Sequence, residues 1–111
     1  MLYKIIQFDS DETNFHLEYI QENGFMNVTK LCNDYKKDFQ EWKHTYYDHL
    51  YQSLQEFCQS HHIQSYHTIE YKNDVFMDPS IALHLAYWID SKLGIHVCAF
   101  YFGIIFGSLH M

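Results

Sequence analysis

An α+β fold is what the sequence predicts, on three observations. Short β-branched and aromatic segments are bounded by turn residues, helix starts are marked by Asn27, Asp38 and Asp78, and a long amphipathic stretch follows Thr45. With 111 residues, 48% of them apolar and 19% aromatic, the chain has one domain's length and enough material for a core. A single domain over residues 1–111 is therefore expected, with no internal repeat, low-complexity stretch or linker to divide it.

The first elements are two strands, Tyr3–Phe8 (YKIIQF) and Phe15–Ile20 (FHLEYI), separated by the polar stretch Asp9–Asn14. Asn23-Gly24 supplies the φ > 0 dipeptide of a tight turn that leads the chain back through Phe25-Met26-Asn27. Asn27 is placed to cap a short helix over Val28–Asn33, because its side-chain oxygen can accept from the free amides of the first turn. Lys36 and Lys37 then fall in a loop. Asp38 caps a second short helix that sets Phe39 and Trp42 on one face. Thr45 is read as the cap of a longer helix, in which Tyr47, Leu50, Tyr51, Leu54, Phe57 and Cys58 recur at helical spacing.

That helix should fray near Ser60-His61-His62. Tyr66–Tyr71 and Val75–Met77 flank Lys72-Asn73-Asp74 as a second hairpin. Asp78-Pro79 is a strong helix start, since Asp caps the free amides and Pro at the first helical position forgoes no bond. Ile81, Leu85, Trp88 and Ile89 follow as a buried stripe, widened by Ala82 and Ala86. A last segment runs from Ser91 to Phe106, too short in its apolar part for an ordinary membrane span. Its end either finishes the core or overhangs as an apolar patch. The scarcity of polar residues after Cys98 favours the second, a homodimer interface of Phe100, Tyr101, Phe102, Ile104, Ile105 and Phe106.

Charge argues against a nucleic-acid role. Seven Lys, no Arg and fourteen acidic residues give −7, whereas phosphate binding is driven by basic surface. Nine His would bring the total to −7 + 9 = +2 only in mild acid. Three cysteines, Cys32, Cys58 and Cys98, fit neither a disulfide framework nor paired zinc ligands, and the opening MLYKIIQFDSDE lacks the pattern of a secretory signal. Reducing, intracellular surroundings are expected. Cys58, His61, His62 and His67 are the one suggestive ligand cluster, but no second matching pair completes a site, so neither metal nor cofactor is expected. No phosphate-cradling glycine loop or acid–base spacing points to an enzyme.

Two motifs point elsewhere. Gly24-Phe25-Met26-Asn27-Val28-Thr29-Lys30-Leu31-Cys32, followed by Lys37, Phe39 and Trp42, resembles the G-[aromatic]-x-N-x-T-K-L-C … K-x-F-x-x-W pattern of the KilA-N domain of large DNA viruses and phages. Phe76 to Pro79 with Ala82, His84-Leu85-Ala86 and Trp88-Ile89 resembles that family's later element. The resemblance covers about residues 24–98. It implies a viral DNA-binding fold related to the fungal APSES domains, with a small N-terminal sheet, a helix-turn-helix, a β-hairpin wing and terminal helices, working in the host cytoplasm or nucleus.

On that reading Lys30, Lys36, Lys37, Lys43 and Lys72 are phosphate contacts. Asn33, Gln40 and Asn73 join them on the double-stranded DNA, with Asn27 and Thr29 as further hydrogen-bonding groups. The chain departs from the family's basic second helix, since Asp34, Asp38, Glu41 and Asp48 intrude. Two functions therefore stand: weakly specific DNA binding, or an acidic, homodimeric module that has kept the fold and binds a viral or host protein. Phe39, Trp42 and Trp88 are expected in the core, and Cys32 and Cys98 as packing residues rather than nucleophiles.

Overall fold

Antiparallel pairing starts at once in the computed structural model, which describes residues 2–10, 15–62 and 68–105. Strand β1 (Ile5–Ser10) pairs with β2 (Phe15–Ile20) in an unbroken register from Ile5 opposite Ile20 to Ser10 opposite Phe15. The turn after β2 closes with Gly24 N–H donating to the Ile20 carbonyl and Gly24 at φ +76°, a conformation open to glycine. It returns the chain into the two-residue strand β3 (Met26–Asn27). Helix α1 (Val28–Asp34) follows, then α2 (Phe39–Trp42), a π-helical turn (Lys43–Tyr47) and α3 (Asp48–Ser60). Strands β4 (Thr68–Tyr71) and β5 (Asp74–Met77) form a hairpin before α4 (Pro79–Ile89) and α5 (Ser91–Ile105).

The fold is thus α+β. The N-terminal strands and the hairpin are not separate, because β3 pairs with β2 on one side and with β5 on the other. The result is one five-stranded antiparallel sheet in the order β1-β2-β3-β5-β4. Lys72 and Asn73, at φ 52° and 70°, form the two-residue turn of the hairpin, whose paired positive φ values match the twist of the strands.

Helices α4 and α5 close the core. Ile81, Ala82, Leu85, Ala86 and Ile89 meet Leu93, Val97, Phe100 and Tyr101, together with Leu17, Met26, Val28, Leu31, Cys32, Trp42 and Met77. Each fully buried Leu or Ile contributes about 2 kcal/mol through apolar surface removed from water. Asp78 caps α4 by accepting from Ser80 N–H at 2.9 Å, with Pro79 at the first position. Asp90 alone links the two helices and accepts from Lys92 N–H at 2.8 Å. Tyr87 lies against Gly94, where an added Cβ would run into its ring. A smaller cluster of Ile20, Phe25 and Phe76 is flanked by Tyr3, Ile5, Ile69 and Tyr71. No described helix is long and apolar enough to cross a membrane.

Three expectations are corrected. Thr45 caps nothing: its hydroxyl donates to the Glu41 carbonyl at 2.9 Å, and the π-helical turn carries α2 into α3 without a break, leaving no free amides to cap. The amphipathic stripe of α3 is narrower than its spacing suggests. Tyr47, Leu50 and Leu54 pack on the core and Cys58 is buried, while Tyr51 and Phe57 are 38% and 52% exposed. Phe100 and Tyr101 are only 7% and 9% exposed in the single chain, so they complete its own core and do not stand open for a partner. Phe100 packs its ring 5.1 Å from Tyr19, and the Tyr101 hydroxyl donates to the Gly24 carbonyl at 3.3 Å. Phe102 is 56% exposed; the side chains of Ile104 and Ile105 and all of Phe106 lie outside the described residues, as do Tyr66 and His67.

Candidate nucleic-acid interface

Asn27 organises the start of α1. Its side-chain oxygen accepts from Lys30 N–H at 2.9 Å, which caps the helix, while its amide nitrogen donates to Asp74 Oδ2 at 2.9 Å and Glu18 Oε1 at 3.3 Å. Thr29 adds a second tie, its hydroxyl oxygen accepting from Val75 N–H at 2.9 Å. Asn27 is 1% exposed and is the one buried polar residue of the described chain. These bonds clasp the hairpin to the first turn of α1. They commit both amide hydrogens of Asn27, which is corrected from a DNA contact to a structural tie, while the Thr29 hydroxyl accepts within the chain and keeps its own proton.

The opposite end of α1 presents lysines. Lys36 N–H donates to the Asn33 carbonyl at 3.2 Å and Lys37 N–H to the Cys32 carbonyl at 2.8 Å, while Lys36 takes φ +55°. This is the Schellman arrangement, in which a left-handed residue ends the helix and the two bonds satisfy its last carbonyls. Lysine is strained there, at a cost of about 1 kcal/mol relative to glycine. Both lysines are exposed, and Lys37 Nζ stands 5.8 Å from the centre of the Trp88 ring.

Asp38 then caps α2, accepting from Gln40 N–H at 2.9 Å. A carboxylate here, with Glu41 in the first turn, suits the positive end of the helix. Gln40, Lys43 and His44 are exposed, and Trp42 is fully buried. Trp42 Nε1–H donates to His84 Nδ1 at 3.2 Å, so the tryptophan of the first motif meets the histidine of the second. Burial lowers the His84 pKa, which keeps the ring neutral and Nδ1 an acceptor. Phe39 stacks on Trp42, and both it and Trp88 pack against the core as expected.

The remaining candidates divide. Asn33 is exposed on α1, and Lys72 and Asn73 are exposed at the hairpin tip, with Lys72 Nζ 5.4 Å from the Tyr71 ring centre. Lys30 is half-buried and turned towards β2, its Nζ 3.8 Å from Glu18 Oε2. It borders a cavity of about 470 Å³ with Gln7, His16, Asp34 and Tyr35. Burial and the nearby Asp38 raise the Cys32 thiol to about 11, so it stays protonated. Among the described residues, no group of three or more His, Cys, Asp or Glu is gathered as a metal would need.

Charge is unevenly spread. Residues 28–48 hold four lysines (30, 36, 37, 43) and four acids (34, 38, 41, 48), a balance of 4 − 4 = 0, so the whole −7 falls on the rest of the chain. Sequence reasoning missed the acidic partners of Asn27, because Glu18 and Asp74 carry no local sign of that role.

A family model described as the KilA-N domain matches residues 10–101. No curated protein and no solved structure matches the chain.

Proposed function

The chain belongs to the KilA-N domain family, whose domain is generally a DNA-binding one, and from that premise we propose that it binds duplex DNA through α1 and α2 used as a helix-turn-helix. Lys36, Lys37 and Lys43 are the phosphate contacts, Gln40 and Asn33 face the grooves, and the Lys72-Asn73 tip acts as a wing. Lys30, held towards Glu18, is a minor contact. The observation that carries this reading is the lysine pair that the Schellman turn exposes, within a segment of zero net charge in a chain of −7. With no arginine for bidentate contact to guanine and with Asp38 and Glu41 at the helix start, binding is weak and of low sequence specificity.

The test is fluorescence anisotropy of a labelled duplex. Three phosphate contacts predict that affinity falls about 40-fold between about 50 and 200 mM salt. Binding should be lost in Lys36→Glu/Lys37→Glu. Absence of saturable binding by the folded protein at the lower salt would overturn the proposal. It would leave the second reading, a protein-interaction module, which the exposed Tyr51 and Phe57 on α3 favour.

A further inference from the structure

Strand β1 forms one end of the sheet, and among the described residues nothing pairs with its outer side. One bond fixes its phase. Gln21 N–H donates to the Lys4 carbonyl at 2.9 Å, and Lys4 N–H to Glu22 Oε1 at 3.2 Å, so Lys4 turns both backbone groups towards β2. On β2, Ile20 N–H donates to the Phe25 carbonyl at 2.8 Å, so the even-numbered residues of β2 serve the other neighbour, β3. Alternation along an antiparallel strand then directs Ile6, Phe8 and Ser10 towards β2, and the N–H and C=O groups of Ile5, Gln7 and Asp9 outwards. The register of β1 is unbroken, and Ile5–Ser10 contains neither proline nor glycine. Of the usual devices that block an edge, that stretch carries only the charge of Asp9 near its end.

We propose that two copies of this chain associate by pairing β1 with β1, antiparallel, about a two-fold axis that passes between their Gln7 residues, making one ten-stranded sheet. A two-fold axis normal to the sheet keeps each face on its own side, so residues opposite one another share parity. Centring on Gln7 is the register that uses all three outward residues: Gln7 faces the partner's Gln7, and Ile5 faces the partner's Asp9. Ile6 then lies against the partner's Phe8, a β-branched and aromatic pair of the kind that stabilises neighbouring strands. Phe8 is 38% exposed although its ring packs 5.0 Å from Phe100, and the added strand covers what remains open.

Charge selects this edge over the other. Each copy carries −7, so association is opposed unless the contact itself is neutral. Within residues 4–10 Lys4 offsets Asp9, whose Oδ1 is also held by His16 Nδ1 at 2.7 Å, and no like charges meet on the axis. Edge strand β4 has only four residues, one of them the exposed Glu70. With strands about 4.8 Å apart, β3 and its copy would lie five spacings, or about 24 Å, from one another. Each leads directly into its own α1.

The test is sedimentation equilibrium of the full chain without DNA, at up to about 200 μM, where micromolar dissociation constants are resolved. Gln7 is exposed, so Gln7→Glu and Gln7→Lys leave the fold intact, as circular dichroism would verify. The wild type should dimerise. Each variant alone should dissociate at least about tenfold more readily, because like charges meet on the axis, and an equimolar mixture of the two should recover the dimer. A second variant, Gln7→Pro, removes the outward N–H without touching the bonds to β2 and should likewise be monomeric. A wild type that is monomeric at about 200 μM would overturn the proposal. So would a dimer indifferent to both charges, or a mixture that fails to reassociate. None of these outcomes depends on whether the chain binds DNA.

Discussion

The two ends of α1 are built on opposite principles. At its N-terminus the polar side chains are turned inwards: Asn27 makes three side-chain hydrogen bonds and Thr29 makes a fourth, all within the chain. At its C-terminus the backbone is strained at Lys36 and the side chains of Lys36 and Lys37 are exposed. One conserves stability and the other forgoes some of it to display charge. A motif of adjacent polar residues therefore contains two kinds of position, and proximity in sequence does not mark which residues meet a partner.

The sharpest way to break this contrast is at the clasp. Asn27→Ala removes the cap of α1 and leaves Asp74 and Glu18 without their donor, so we expect a loss of about 3 kcal/mol. In a domain of this size that lowers the thermal midpoint by roughly 10 to 15 °C, read by circular dichroism. An unchanged midpoint would mean that the clasp is redundant. DNA affinity of the folded variant, measured well below its midpoint, should stay within about threefold of wild type.

The next effect belongs to the lysine turn and has the reverse signature. Lys36→Glu/Lys37→Glu should weaken DNA binding by roughly 30-fold or more at about 50 mM salt, equivalent to about 2 kcal/mol. Stability should change by less than about 0.5 kcal/mol, since both side chains are exposed. Equal damage to stability and binding would show that the two ends of α1 are not separable.

A third measurement concerns the contact that ties α2 to α4. His84 accepts from Trp42 Nε1–H, and burial sets its folded pKa below the unfolded value. The unfolded state therefore takes up the proton first. Stability from this group is fully present above pH 6.5, the unfolded value, and is lost as pH falls from there through the lower folded value. Protonation of Nδ1 would also turn the acceptor into a donor facing a donor, a loss of about 1 kcal/mol. His84→Gln should flatten this part of the stability–pH curve between about pH 8 and 5 relative to wild type, in urea titrations at each pH. Parallel curves would assign the dependence to other histidines.

What could be read from the sequence was local. Asn27, Asp38 and Asp78 declared themselves as caps because a cap is decided within three residues, and Lys72-Asn73 declared a hairpin because two residues set the turn. The exposed Lys36 and Lys37 followed from the same kind of signal. Long-range pairing was silent. Strand β3 is only two residues long, yet it joins β2 to β5, and its Asn27 reaches Glu18 and Asp74 in distant parts of the chain. Phe100 and Tyr101 looked like an overhang because the surfaces that cover them, Tyr19 and the Gly24 turn, lie far back in the sequence. The π-helical turn erased the boundary expected at Thr45, and no residue type announces such a turn.

The finest test of the contrast separates backbone from charge at a single residue. Lys36→Ala and Lys36→Gly both remove one cation, so both should reduce the slope of log affinity against log salt by about 0.9. They differ only in the left-handed conformation at φ +55°, which glycine adopts freely and alanine does not. Lys36→Gly should therefore be more stable than wild type by about 0.5 to 1 kcal/mol, and Lys36→Ala should not be, in chemical denaturation. If glycine stabilises while DNA affinity falls, the strain at this turn is retained for the charge it displays. If glycine stabilises and affinity is untouched, Lys36 is a strained residue without that role, and Lys37 and Lys43 must carry the contact.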